Sequence, residues 1–254
     1  MNEKNRGYQP KKNDEIGDIP VIILAGGLGT RIKGMLLDTP KILAPFNGSC
    51  FLDILIESLS RQGLKTFYLA LGYMSEKVIL YLENKRFDKE IEIIPVIETE
   101  QLGTGGAIYN VLQFMDSERF FVVNGDTFLS INAVDFSGVT LESSARIGMA
   151  VVSVTDISRY GAVKIDENDY VSSFIEKGVL SGSGLINAGW YLIQRKEFLK
   201  GRSDEIFSLE YDFLMNLPKR SIISYRVDDI FIDYGTPSSY IEAQTIFLEQ
   251  GLIE

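Results

Sequence analysis

The stretch Ile19-Pro20-Val21-Ile22-Ile23-Leu24-Ala25-Gly26-Gly27-Leu28-Gly29-Thr30-Arg31 decides the fold. From Ile19 to Ala25 it is a short apolar run that ends in glycines, which is how a buried strand of a parallel sheet reads. The carboxyl end of such a strand is where α/β sheets bind ligands. Glycines let backbone N–H groups close on a polyphosphate without a Cβ in the way, and Thr30 and Arg31 add a hydroxyl and a forked cation. Two familiar glycine patterns do not fit. A dinucleotide fingerprint would need glycine where Ile32 stands, and a Walker loop would need lysine where Met35 stands. A third kind of nucleotide loop and a simple tight turn from strand to helix are the readings left.

Working outward, Phe51, Leu52, Leu55, Ile56 and Leu59 form one face of a helix stopped near Gly63, and a strand-like run follows at 66–71. The rhythm repeats through a helix over 75–85, a strand over 91–97, a helix over 104–115 and a strand over 120–124. This alternation predicts an α/β protein, a three-layer α/β/α sandwich with right-handed crossovers. Past about residue 145 the chain reads as strands over 148–154, 162–165, 171–175 and 186–193. Helices return over 209–217, closed by Pro218, and over 237–249, where Thr236-Pro237 reads as an N-cap followed by an N1 proline. No repeat or linker divides residues 19–254, so one domain is expected behind a flexible polar tail, residues 1–18.

Composition narrows the chemistry. The 254-residue chain carries a formal charge of −10, which argues against a nucleic-acid or membrane partner, since both need a broad basic surface. Cys50 is the single cysteine and histidine is absent, which removes disulfides within the chain, Cys-His zinc sites and Ser-His-Asp catalysis together. Carboxylates, lysine, arginine, backbone and metal remain. The first 18 residues lack the apolar stretch of a signal peptide, and nowhere do 18 apolar residues run together, so a cytoplasmic protein is expected.

Three further segments carry chemistry. In Thr39-Pro40-Lys41 a proline stiffens the chain before a lysine whose point charge suits a phosphate oxygen. Glu100-Gln101-Leu102-Gly103-Thr104-Gly105-Gly106-Ala107 puts small residues between a strand and a helix. Its glycines would let a flat base lie on backbone while Gln101 reads its edge, or would serve close packing of the helix. Asn124-Gly125-Asp126 follows a buried strand, and a carboxylate there is a good Mg2+ ligand, magnesium favouring one or two carboxylates plus substrate phosphates.

From residue 20 to residue 245 the chain resembles the nucleotide-sugar pyrophosphorylases, or sugar-1-phosphate nucleotidyltransferases, whose signature is a strand, then G-G-x-G-T-R, then P-K. The resemblance implies a Rossmann-like, mixed but mostly parallel sheet related to that of the GT-A glycosyltransferases. It implies a nucleotide half over about 19–130 and a sugar-phosphate half over about 131–254. By resemblance Arg31, Lys41 and Asp126 are catalytic. Leu24, Ala25, Gly26, Gly27, Gly29, Thr30, Gln101, Gly103, Thr104 and Gly125 bind nucleotide. Gly161 in Arg159-Tyr160-Gly161, Glu176 and Lys177 in Phe174-Ile175-Glu176-Lys177, and Asn187 in Asn187-Ala188-Gly189 face the sugar phosphate. Asp126 and Asp233, the latter in Phe231-Ile232-Asp233-Tyr234-Gly235, hold Mg2+.

Within the family the motifs are most similar to members that transfer guanylyl from GTP to D-glycero-α-D-manno-heptose 1-phosphate. Mannose-1-phosphate guanylyltransferases and cytidylyl- or uridylyltransferases of the same fold are the near alternatives. A glycosyltransferase would normally show D-x-D where this chain has Asn124-Gly125-Asp126, and a non-catalytic nucleotide-sugar sensor would not need the full set of charges. Small-molecule substrates, a nucleoside triphosphate and a sugar 1-phosphate, are the expected partners. A homodimer stays open.

Overall fold

The computed structural model describes residues 16–253 apart from residues 30, 37 and 201–204. In its first half the chain runs β1 (Val21–Leu24), α1 (Lys33–Leu36), β2 (Pro45–Phe46), β3 (Ser49–Cys50), α2 (Phe51–Ser60), β4 (Thr66–Leu71), α3 (Ser75–Asn84), β5 (Glu92–Ile97), α4 (Gly103–Val111) and β6 (Arg119–Asn124). There follow β7 (Thr127–Leu129), α5 (Ala133–Glu142), β8 (Ile147–Val154), β9 (Ala162–Ile165), β10 (Val171–Ile175), β11 (Gly184–Gln194), α6 (Arg195–Leu199), β12 (Ile222–Val227), β13 (Phe231–Asp233) and α7 (Pro237–Glu249).

Seven strands form one sheet in the order β12-β8-β11-β6-β1-β4-β5. Strand β11 runs antiparallel to both its neighbours, and every other pairing is parallel. Alternate residues of each strand therefore enter two separate cores. Val21, Ile23, Phe67, Leu69, Phe121 and Val123 pack under α2, α5 and α7. Ile22, Tyr68, Ala70, Phe120 and Val122 pack on the other face under α4, α6 and the segment 207–217. The three layers and the mostly parallel sheet are as the sequence predicts, and Phe51, Leu52, Leu55, Ile56 and Leu59 are all buried as the helix face expected.

Several elements differ from the expectation. Helix α5 has weak helix formers at Ser137, Gly138 and Thr140, so its propensity is poor. Burial decides it instead: α5 lies so close to β8 that a Cβ on Gly148 would sit 2.0 Å from Thr140 Oγ1. Asn132 caps its first turn by accepting from the N–H groups of Val134 and Asp135. Strand β12, likewise unpredicted, is a parallel edge strand alongside β8. The helix expected over 209–217 is a π turn, Leu209–Phe213, followed by a 3-10 turn. Residues 1–15 of the expected tail lie outside the described residues, while Ile16–Asp18 form a 3-10 turn with Ile16 against the core. Among the described residues no helix is long and apolar enough to cross a membrane.

Candidate active site

The carboxyl ends of β1, β5 and β6 open into a cavity of about 660 Å³. Leu24, Ala25, Gly26, Gly27, Gly29, Arg31, Lys41, Gln101, Gly103, Thr104, Gly125 and Asp126 all line it. Thr30, between them, lies outside the described residues. A second cavity of about 320 Å³ is lined by Gly161, Glu176, Lys177, Asn187 and Asp233. The two share Arg31, Asn124, Asp126 and Glu210, so they are adjoining chambers with a common wall.

The first chamber is built by close backbone approach. Gly125 N–H donates to the Leu24 carbonyl at 2.9 Å, which ties the end of β6 to the end of β1. A Cβ on Gly125 would come within 2.6 Å of that same carbonyl oxygen. Gly29 takes a positive φ of 58°, a conformation that favours glycine, as the loop turns toward Arg31. In the segment 100–107 the two sequence readings divide between residues. Gly103 reaches the cavity while a Cβ on it would lie 2.6 Å from the Phe207 carbonyl oxygen, and Gly105 and Gly106 donate their N–H groups to that carbonyl and leave no room for side chains beside Phe207 and Glu205. Thr104 lines the cavity, yet its hydroxyl donates to Glu210 Oε2 and accepts from Leu209 N–H.

Charge converges where the chambers meet. Lys41 stands in a 3-10 turn behind Pro40, and its Nζ donates to Asp126 Oδ2 at 2.7 Å. Strand β13 pairs with β7 so that Asp233 is opposite Thr127, the residue after Asp126. Asp233 Oδ1 accepts from Gly235 N–H at 2.8 Å. A Cβ on Gly235 would fall 2.8 Å from Asp233 Oδ1, 3.4 Å from Lys41 Nζ and 3.5 Å from Arg31 Nη2, so two cations and a carboxylate gather around one bare backbone position. Asp126, in the turn that leads into β7, and Asp233, in the paired β13, are thus brought to one edge from 107 positions apart in the sequence, two carboxylates of the kind that suits Mg2+ with substrate phosphates. Among the described residues no group of three or more His, Cys, Asp or Glu side chains is placed to hold a metal ion.

In the second chamber the β9–β10 hairpin brings Gly161, with φ of 78°, against the backbone of residues 175–177, and Glu176 and Lys177 are exposed at its mouth. Asn187 is already engaged: its Nδ2 donates to Tyr191 OH at 2.6 Å and its Oδ1 accepts from Gly189 N–H. The ladder between β11 and β8 slips between Asn187 and Tyr191, and Gly189, at φ of 74°, has Asn124 where a side chain would go.

Sequence reasoning gives no role to Glu98 or Glu210. Glu98 is the first residue after β5 and lines the first chamber, its Oε1 pressed toward Gly26 and Gly72. Burial raises its carboxyl above the usual range, with the Leu102 N–H pulling the other way. The strand-end rule could have found it. Glu210 sits in the π turn and faces both chambers; only the folding of that turn onto α4 puts it there.

Comparison with known proteins places the chain in a family. A D-glycero-alpha-D-manno-heptose 1-phosphate guanylyltransferase of Campylobacter jejuni is 42% identical over 86% of this chain and 96% of its own length. One of Aneurinibacillus thermoaerophilus is 34% identical over 88% of this chain and 96% of its own. The crystal structure of HddC from Yersinia pseudotuberculosis superposes with a TM-score of 0.80 at 35% identity, covering 90% of this chain and 99% of that one, and its complex with GMP-PN superposes with a TM-score of 0.79. The profile of the Nucleotidyl transferase family matches residues 20–250, and on the fold, the paired chambers and these relatives the chain belongs to that family.

Proposed function

We propose that this enzyme transfers guanylyl from GTP to D-glycero-α-D-manno-heptose 1-phosphate with Mg2+, releasing pyrophosphate. The observation that carries the reading is the shared wall of the two chambers, where Arg31, Lys41 and the carboxylates Asp126 and Asp233 gather. One polyanion in each chamber would meet its partner there. A sugar-phosphate oxygen attacks the α-phosphorus in line, the bond to the β-phosphate oxygen breaks, and pyrophosphate carries the electron pair away. The chain has no histidine, and this displacement asks for none: alignment and charge neutralisation suffice.

Each residue then has a task. Arg31 and Lys41 draw in the triphosphate and offset charge that builds on the reacting phosphate. Asp126 and Asp233 would hold Mg2+, which would supply positive charge to offset that of the phosphates. Lys177 pairs with the 1-phosphate, and Glu176, Asn187 and the Gly161 backbone meet sugar hydroxyls. The guanine reading draws on the relatives above and on Glu98. A carboxylate with two acceptor oxygens suits the adjacent ring N–H and amino donors of guanine, a pair that adenine and the pyrimidines do not offer. A cytoplasmic site of action belongs to the same proposal, GTP being a cytoplasmic substrate.

Pyrophosphate release is the test, with GTP, ATP, CTP, UTP and dTTP each offered with heptose and mannose 1-phosphates. The reading expects GTP with the heptose phosphate to turn over fastest. Faster turnover with a pyrimidine triphosphate would overturn the base assignment, and faster turnover with mannose 1-phosphate would overturn the sugar.

A further inference from the structure

Between Asp233 and Gly235 lies a residue that neither chamber exposes. Tyr234 is fully buried, yet its phenol reaches two backbone carbonyls that belong to different parts of the site. Its OH donates to the Lys41 carbonyl at 3.0 Å and is 3.3 Å from the Gly125 carbonyl, a bifurcated contact from one proton. The face of its ring also lies under the Lys41 ammonium, 5.0 Å from Nζ to the ring centre. Lys41 and Asp126, the neighbour of Gly125, are the pair joined side chain to side chain at 2.7 Å.

We propose that Tyr234 is a positioning residue for the transfer reaction, a clamp that holds the Lys41 turn against the Gly125-Asp126 turn so that ammonium and carboxylate are presented together. The inference rests on the function proposed above. Lys41 and Asp126 are 85 residues apart, and their turns follow different elements. A side-chain contact between two partly exposed charges does not by itself fix two loops, because long side chains must be ordered to keep it. A buried phenol bonded to both main chains does so at the backbone, where a displacement is passed directly to both side chains. The cation over the ring adds a second hold on the same lysine. The ring itself is kept in place by Phe46 and Phe51, at 5.4 and 4.6 Å between centroids.

A neighbouring tyrosine supplies the control. Tyr240 belongs to the same aromatic cluster, is 6.3 Å from Tyr234 between ring centroids and is buried, and its OH donates to the Pro45 carbonyl, which carries neither functional loop. Tyr234→Phe and Tyr240→Phe therefore each delete one phenol O–H from the same core while keeping the ring. Both are expected to fold and to lose similar amounts of thermal stability. Tyr234→Phe should lower kcat by about tenfold or more with little change in the KM of either substrate, and Tyr240→Phe should leave kcat unchanged. A Tyr234→Phe enzyme with normal kcat, or two variants that lose kcat in proportion to stability, would overturn the proposal and leave Tyr234 as core.

The crystal structure of Tyr234→Phe gives a readout that no substrate choice affects: the Lys41 and Gly125 carbonyls should draw apart and the Lys41–Asp126 contact should open. An unchanged geometry would also overturn the clamp. If the wild-type enzyme turns over a different triphosphate and sugar phosphate, the functional reading fails on its own account, and the kinetic comparison of the two variants is made with the pair that it does use.

Discussion

The two chambers of the site are built in different ways. The first chamber, proposed for the nucleotide, is an edge of the sheet: β1, β5 and β6 each deliver their residues directly at their carboxyl ends, as Leu24 to Gly29, Glu98 to Thr104, and Asn124 to Asp126. The second chamber, proposed for the sugar phosphate, is assembled from the β9–β10 hairpin, the slipped stretch of β11 and the π turn, none of which continues the parallel pattern. The first is inherited from the architecture and shows in contiguous motifs; the second is grafted beside it from distant pieces. Under the proposed function, base and triphosphate recognition would ride on the fold and sugar recognition on its embellishments.

That division can be broken first at the wall both chambers share. Asp126→Asn keeps the size of the side chain and removes the charge, so turnover should fall by about a thousandfold or more, as expected when a metal-bound phosphoryl site loses a carboxylate ligand, with the fold intact by circular dichroism. Near-normal turnover would remove Asp126 from the site. Arg31→Ala, at the same wall, should lower kcat by about a hundredfold, the usual loss for deleting a donor to transition-state charge. A defect confined to sugar-phosphate affinity would place Arg31 in one chamber only.

The next two substitutions sharpen the comparison by striking one chamber each. Glu98→Gln should cut the preference for GTP over ATP by about thirtyfold, within the 1–3 kcal/mol that a good bidentate base contact is worth. Because burial raises the Glu98 carboxyl, the wild-type KM for GTP should begin to rise, as pH falls, above the ordinary carboxylate range. The sign follows from the role: the ionised form accepts both guanine donors, and protonation removes an acceptor. In Glu98→Gln that acid limb should vanish, and its persistence would point to another group. Lys177→Ala should raise the KM for the sugar 1-phosphate about tenfold while that for GTP stays put. Titrating both substrates against the one variant decides it, and a defect on the nucleotide would exchange the two chambers.

Much of the nucleotide chamber is legible in the sequence, because its residues are adjacent along the chain. A strand followed by Gly26-Gly27-Leu28-Gly29, and Gly125-Asp126 directly after Phe121-Val122-Val123-Asn124, announce both the sheet and the edge that binds. The hydrophobic periods are equally readable: Phe51, Leu52, Leu55, Ile56 and Leu59 are all buried, as their spacing predicts. Local order written at short range is enough for these, since a helical stripe or a strand-end turn depends on its own residues.

The rest is settled by contacts that have no trace at short range. Helix α5 exists because Phe136 and Thr140 close over β8 against the bare backbone of Gly148, in spite of poor propensity. The glycines at 103, 105 and 106 all make room for the segment 205–207, about a hundred positions away, and Gly103 also lines the cavity, a double duty that no local rule announces. Glu210 reaches both chambers only once the π turn folds onto α4. The meeting of Lys41, Asp126, Asp233 and Tyr234 depends on β13 pairing with β7, a three-residue register match between segments about a hundred residues apart. The chain alone specified most strands of the sheet, the buried faces of its strongly periodic helices and the loops at its edge, since each depends on neighbours in sequence. Which charges meet, and which tyrosine holds them, belonged to the tertiary structure alone, because packing and strand register act between residues that the chain keeps far apart.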